Sequence, residues 1–361
     1  MNQNGDDMAR RQTWPIFLFC LFAGLPELYG QATEAKLAWL ESLPAQERQA
    51  RLVEAAKSEG EVVAYGNLDV AAAKALDDGF MKKYPFVKAH TVRFSGAAII
   101  NRVESETRAG KVSSDVIDSG QLGMLALMDR KMAARYVSPQ RQSYREGFKD
   151  KDGYWTVYMT NVMVSAYNTR LVKKEEAPRT VEDLLKPRWK GKLAMDSQSY
   201  VWFGTVMQQL GEEAGLRFMK KLNEQQPRHI RGRRLLSQLV AAGEFDMAIE
   251  TNLNSVLTLA GQGAPLGFAP IRPLFYSPSL VYLSQNAPHP HAAALFIDYL
   301  LSEDGQRIVA STNRMPAHAK VKPTEAQVLE GLDIRMPDLL DIGRRYDAIG
   351  RQYREIFAGA R

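Results

Sequence analysis

Five short turns in this chain combine hydroxyl, amide and carboxylate side chains directly after apolar, strand-like runs. They are Gly66-Asn67-Leu68-Asp69, Ser95-Gly96-Ala97, Asp118-Ser119-Gly120, Asp196-Ser197-Gln198-Ser199-Tyr200 and Glu250-Thr251-Asn252-Leu253-Asn254. Helix-like sequence follows each of them, so free backbone N–H groups and side-chain donors would converge there. That arrangement suits small polar or anionic molecules. The same Ser, Asn and Asp residues serve equally well as helix N-caps, a role that needs no ligand. Tyr158, Tyr200, Trp202 and Tyr276 could add an aromatic wall or could pack in the core, and Arg102 and Arg272 could partner a carboxylate or phosphonate. The candidate ligand-binding set is therefore Asn67, Ser95, Ser119, Tyr158, Ser197, Ser199, Tyr200, Trp202, Glu250, Asn252, Asn254 and Tyr276.

Catalytic chemistry has less support. The sequence has no G-x-S-x-G, H-E-x-x-H, P-loop or G-x-G-x-x-G after a strand. A carboxylate pair could be drawn from Asp118, Asp196 and Glu250, but their spacing gives it no warrant. The sole cysteine, Cys20, lies in the first thirty residues. His289-Pro290-His291 opens an apolar helix, and His90, His229 and His318 are isolated residues expected at the surface. Neither a metal nor a cofactor is expected, and the chain reads as a protein that binds rather than transforms.

The elements that would hold these turns alternate. Residues 61–65, 89–94 and 114–117 read as short strands, separated by helical patterns over 70–84 and 97–109, and a helix is expected over 37–58. Such alternation argues for a mostly parallel, doubly wound α/β sheet. Residues 154–168 form a β-rich stretch about twice the usual strand length, long enough to pass from one domain to another. A second α/β pattern follows over 180–264, and strands at 268–271 and 279–283 are expected to return to the first unit. The stretch 336–358 has apolar residues at helical spacing and is expected to pack on the second unit.

At the start of the chain, Arg10-Arg11, the apolar run 14–25, and Gly30 and Ala32 have the layout of a secretory leader over 1–32. The net charge is +6 and the pI about 9.2, a balance that favours anionic solutes. The basic residues are interspersed; the densest knot, Arg231-Gly232-Arg233-Arg234, reads as a solvated loop or helix start, with no aromatic interleaving to suggest nucleic acid.

Several longer phrases resemble the bacterial extracellular solute-binding proteins of ABC importers, in their ferric-ion-binding-like branch. They are the run 287–316, which contains Ser302-Glu303-Asp304-Gly305-Gln306 and Asn313-Arg314-Met315-Pro316, the phrase over 162–169 ending in Tyr167-Asn168-Thr169, the run 180–192 (TVEDLLKPRWKGK), and 241–249 (AAGEFDMAI). The resemblance implies two α/β lobes hinged by two crossing strands, a periplasmic binding protein type 2 fold, with solute held in the cleft between them. It sets the first lobe at 33–161 plus 268–321 and the second at 162–267 plus 322–361. It also implies a monomeric periplasmic receptor whose partners are a small-molecule solute and the permease subunits of an importer, with a sensor as the alternative partner. Ferric receptors of this branch hold the metal mainly through paired tyrosines, where this sequence has Leu253 and Asn254, and often through a histidine where it has Asn67-Leu68-Asp69. Both departures remove metal ligands. A small organic anion is the expected solute, and an iron site rebuilt from Tyr158, Tyr200 and Glu250 is the alternative.

Overall fold

The computed structural model describes residues 32–357 apart from Ser95, Pro273 and Glu325. Residues 1–31 of the expected leader, with Cys20, and the candidate Ser95 lie outside the described residues. The strands are β1 Glu61–Gly66, β2 Lys88–Arg93, β3 Val116–Gly120, β4 Ala133–Ala134, β5 Thr156–Asn168, β6 Leu193–Asp196, β7 Arg228–Ile230, β8 Met247–Asn252, β9 Leu266–Ala269, β10 Leu274–Ser284, β11 Met315–Pro316 and β12 Ile334–Arg335. They form one hydrogen-bonded path in the order β2-β1-β3-β10-β5-β8-β6-β7.

Two parallel groups sit at the ends of this path. In the first lobe β1 runs parallel to β2 and β3; in the second, β6 runs parallel to β7 and β8. The antiparallel strands β5 and β10 join them. β5 pairs through Thr156–Met163 with β10, and from Met163 onward it pairs with β8 and, through Ser165–Asn168, with β9. The long strand expected over 154–168, observed as the thirteen-residue β5, thus serves both lobes. Phe268 faces Ala166 in the second-lobe half of β5, so β9 does not return to the first lobe; of the two stretches expected to do so, β10 pairs with the first-lobe strand β3.

Helices cover both faces of each half-sheet, as an alternating α/β pattern requires. In the first lobe one layer packs around Leu52, Phe80, Leu295 and Phe296, and the opposite layer around Ile99, Ile117, Met124 and Leu127. In the second, Trp189, Phe203, Phe218 and Tyr353 fill one side and Leu236, Val240 and Val256 the other. The single helix expected over 37–58 is broken. Pro44, extended at ψ 145°, separates a short turn of helix from Ala45–Glu59, because its ring is disfavoured in a helix interior. The C-terminal stretch forms two helices, Leu339–Arg344 and Tyr346–Ile356, the second buried against Tyr200–Leu210.

One buried polar group stitches the back of the first lobe. Arg48 on helix Ala45–Glu59 donates to Asp298 Oδ2 at 3.0 Å and to the Tyr136 hydroxyl at 2.6 Å, and Tyr136 donates to Asp298 Oδ1 at 2.9 Å. All three residues are buried. Removing one member leaves a charge without compensation in a low-dielectric site. Asp298→Ala should therefore lower unfolding free energy by about 3–5 kcal/mol in urea melts, whereas exposed Lys74→Ala, which loses only the Asp78 pair, should change it by less than about 1 kcal/mol.

Candidate functional site

Strand ends of the two lobes face a shared cleft, as ligand sites in open α/β sheets do. On the first-lobe side, β1 ends at Gly66, with Asn67 next in the chain, and the neighbouring β3 carries Asp118 at its centre. The Asn67 N–H donates to Asp118 Oδ2 at 3.3 Å. A Cβ on Gly66 would stand 3.0 Å from that oxygen, so glycine lets the two strand ends approach. The Tyr158 hydroxyl, from β5, lies beside Asp118. Both residues are buried, and neither Asp118 Oδ1 nor the Tyr158 hydroxyl has a hydrogen-bond partner among the described residues. Burial pushes the Asp118 carboxyl up to about 7, against the opposing pull of the Asn67 N–H, Tyr158 and the Arg314 charge. It drives the Tyr158 phenol well above its ordinary range, and the neighbouring Asp118 adds to that.

The second-lobe side is closed by hydrogen bonds of its own. Arg233 donates through Nε to Glu250 Oε1 at 2.8 Å with Nη2 equally close, and Ser199 Oγ donates to Oε2 at 2.7 Å. Asp196 accepts the Gln198 N–H at 2.8 Å and the Gly232 N–H at 2.9 Å. Gly232, at φ +105°, supplies the backbone conformation that turns this N–H inward. Glu250 and Ser199 are thus consumed in fixing the turns, and Ser197 gives its N–H to Ile230.

Other candidates stand elsewhere. Ser119 is fully buried and shares a 2.8 Å hydrogen bond with the Tyr282 hydroxyl. Tyr200 packs edge-on against Tyr346 and Tyr353 and accepts from Arg354 at 3.1 Å, while Trp202 is buried beside Phe218. Both aromatic side chains therefore serve the second-lobe core. The Tyr276 ring lies 5.6 Å from the Arg145 guanidinium carbon. Arg102 pairs with Glu106 on its own helix, and Arg272 is exposed. Among the histidines, His318 is buried against Tyr144 and His229 is half-buried against Tyr353 and Phe357, which corrects the surface placement of both. His289 precedes helix Pro290–Leu301 and pairs with Asp115 at 3.0 Å, and His291 pairs with Glu59 at 2.7 Å.

Between the lobes lies a cavity of about 370 Å³. Asp69 and Ala72 line it from the first lobe, Arg234 and Asn254 from the second, and Asn313 and Arg314 from the segment entering β11. Asn252 ends β8 just before helix Leu253–Gly261, and Asn254 sits in that helix's first turn with its Oδ1 buried and unpartnered. Arg314 binds Asp69 at 2.6 Å with only a tenth of its side chain exposed. Arg314 and Arg234 are absent from the sequence-derived candidate set. Arg234 was legible only as part of the basic knot, and Arg314 only as part of the Asn-Arg-Met-Pro phrase. A larger groove of about 660 Å³, lined by Glu34, Leu40, Arg48 and Tyr136, lies on the back of the first lobe and touches none of the candidates among the described residues.

Two α/β lobes hinged by paired strands, with a polar cavity between them, define a two-lobed binding protein. The chain belongs to the bacterial extracellular solute-binding proteins, whose family model matches residues 115–338, more than half of its length. Iron uptake protein A1 of Synechocystis sp. is 24% identical over 245 residues, covering 63% of this chain and 67% of that protein. The periplasmic binding protein AfuA from Actinobacillus pleuropneumoniae, with exogenous fructose-6-phosphate bound, superposes at TM-score 0.72 with 20% identity, covering 83% of this chain and 99% of AfuA. Iron-bound HitA from Pseudomonas aeruginosa superposes at 0.70 with 17% identity, covering 82% of this chain and 99% of HitA. These likenesses establish the periplasmic binding protein type 2 fold.

Asp118 provides a direct test of the first-lobe floor. Its folded-state value, about 7, lies above the ordinary 3.8, so the native state binds the proton more tightly than the unfolded chain between these values. Its stabilising contribution is full below pH 3.8 and is lost as pH rises through 7. Asp118→Asn should flatten that fall and be more stable than the parent at pH 8, by on the order of a few kcal/mol, in chemical melts run from pH 4 to 8.

Proposed function

We propose that this chain is a periplasmic receptor that captures a small organic anion in the interlobe cleft and delivers it to the permease of an ABC importer. It binds and does not transform its solute, it works as a monomer, and the leader over 1–32 directs its export. The observation that carries the reading is the interlobe cavity, which draws polar and cationic side chains from both lobes and has a volume in the range of small-molecule sites. A hinge beneath such a cavity lets both lobes contribute contacts while water is expelled.

Ferric ion is the second reading, favoured by the likeness to iron uptake protein A1 and HitA. A site rebuilt from Tyr158, Tyr200 and Glu250 would have to recruit groups already engaged. Glu250 is held by Arg233 and Ser199, and Tyr200 sits in the second-lobe core. Leu253 and Asn254 supply no phenolate at the first turn of their helix.

A thermal-shift screen of residues 33–361 against carboxylates, phosphonates, phosphate esters, polyamines and Fe(III)-citrate separates the readings. Binding to the folded state alone raises the melting temperature by mass action. An organic anion should give the shift and Asn254→Ala should reduce it. A shift with Fe(III)-citrate alone, with a visible tyrosinate absorption band, would return the protein to iron binding.

A further inference from the structure

The basic knot breaks a local rule. Arg233 and Arg234 open helix Arg233–Ala242, where the positive end of the helix dipole disfavours cations. Glu250 offsets the cost at Arg233. No carboxylate of the described residues forms a salt bridge with Arg234, which is exposed and lines the interlobe cavity. Burial pushes the Asp69 carboxyl up, but the Arg314 hydrogen bond and charge and the Ala72 N–H outweigh it and hold the carboxyl below its usual range, with the Arg234 charge from the opposite lobe a smaller addition. With no salt-bridge partner among the described residues and only a longer-range attraction to Asp69, Arg234 leaves at the cavity a charge that an anionic ligand would compensate, and local rules are broken most often at functional sites.

The rest of the cavity has the same sign. Arg314 presents a second guanidinium, whose Nη2 donates to Asp69 at 2.6 Å and whose Nη1 donates to the Thr312 carbonyl at 3.2 Å, leaving one further N–H on each nitrogen. The first turns of three helices contribute to the lining: Val70–Lys83 through Ala71 and Ala72, Arg233–Ala242 through Arg234, and Leu253–Gly261 through Asn254 and Ser255. Each helix end carries roughly half a positive charge. Asp69, the one carboxylate in the lining among the described residues, is already paired with Arg314 and caps Ala72 N–H at 3.1 Å. Two guanidiniums and three helix ends against one carboxylate leave more than one positive charge to be matched. A singly charged carboxylate would leave part of it unbalanced.

We infer that the cavity takes a doubly charged phosphoryl head, a phosphate monoester or phosphonate, clamped between Arg234 of the second lobe and Arg314 beside the first. This rests on the receptor reading above and narrows its solute class. The planar guanidinium forks match phosphoryl oxygens in pairs. Because the two arginines approach from different sides of the cleft, the head group also ties the lobes together on closure, and Asp69 sets the affinity by competing for Arg314.

Isothermal titration of the folded chain with inorganic phosphate, glycerol 3-phosphate, its methyl diester, glycerate and Fe(III)-citrate tests the inference. Glycerol 3-phosphate should bind more tightly than both the singly charged diester and glycerate. Arg234→Gln, at an exposed position, should leave the melting temperature of the unliganded protein unchanged or slightly raised, as the helix-end cost is relieved, and weaken phosphate-ester binding about ten- to hundredfold. Asp69→Asn, which keeps an N-cap, should release Arg314 and tighten binding. Tighter binding of glycerate that is insensitive to Arg234→Gln would overturn the phosphoryl inference while sustaining an organic-anion receptor. Binding of Fe(III)-citrate with no organic anion bound would overturn both.

Discussion

Strand β5 must satisfy backbone hydrogen bonds in two half-sheets at once, and the arrangement of the molecule follows from that requirement. Its thirteen residues are almost entirely buried, so each N–H and C=O needs a partner that is not water. The first half finds partners in β10 and β11 and the second half in β8 and β9. The register slips between Val164 and Ala166 on the β8 side, and between Ser279 and Leu280 on the β10 side. Irregularities of this kind bend and twist a strand, which here lets one continuous ladder serve two differently oriented lobes. The cleft exists because the parallel groups on either side of this pair point their strand ends toward a common space.

Polar groups at the two walls of that space are treated differently. On the second-lobe wall Glu250, Arg233, Ser199 and Asp196 neutralise and hydrogen-bond one another, so the wall is pre-organised. The first-lobe floor keeps Asp118 and Tyr158 buried with unmatched oxygens, a costly arrangement that proteins tolerate chiefly where function requires it. The solved relatives share the fold at 17–20% identity while their bound solutes range from iron to a sugar phosphate, as expected when specificity resides in a few side chains carried on a common scaffold.

Much of the fold was legible in the sequence because it depends on local pattern. Glu61-Val62-Val63-Ala64-Tyr65 alternates and ends in glycine, Asp69 caps the helix that follows, and the run 154–168 is too long for an ordinary strand. Where local pattern was ambiguous the structure decided. Residues 268–271 are as strand-like as 279–283, but only long-range pairing determines that β9 stays with the second lobe. Pro44 was visible in the sequence, yet the apolar register on either side of it favoured one continuous helix over two.

The sequence by itself determined the family, the alternation of strands and helices, and the turns from which ligand contacts could come, since each is encoded in contiguous residues. Only the tertiary structure decided which side chains at those turns remain free. Glu250 is consumed because Arg233, seventeen residues before it, folds back onto it, Ser199 because it donates to the same carboxylate, and Tyr200 and Trp202 turn inward because the C-terminal helix Tyr346–Ile356 and Phe218 cover them. Arg234 and Arg314 lie eighty residues apart and become neighbours across the cleft only when β5 and β10 cross. Charge pairing acts through space, so whether an arginine is spent or available cannot be read from its position along the chain.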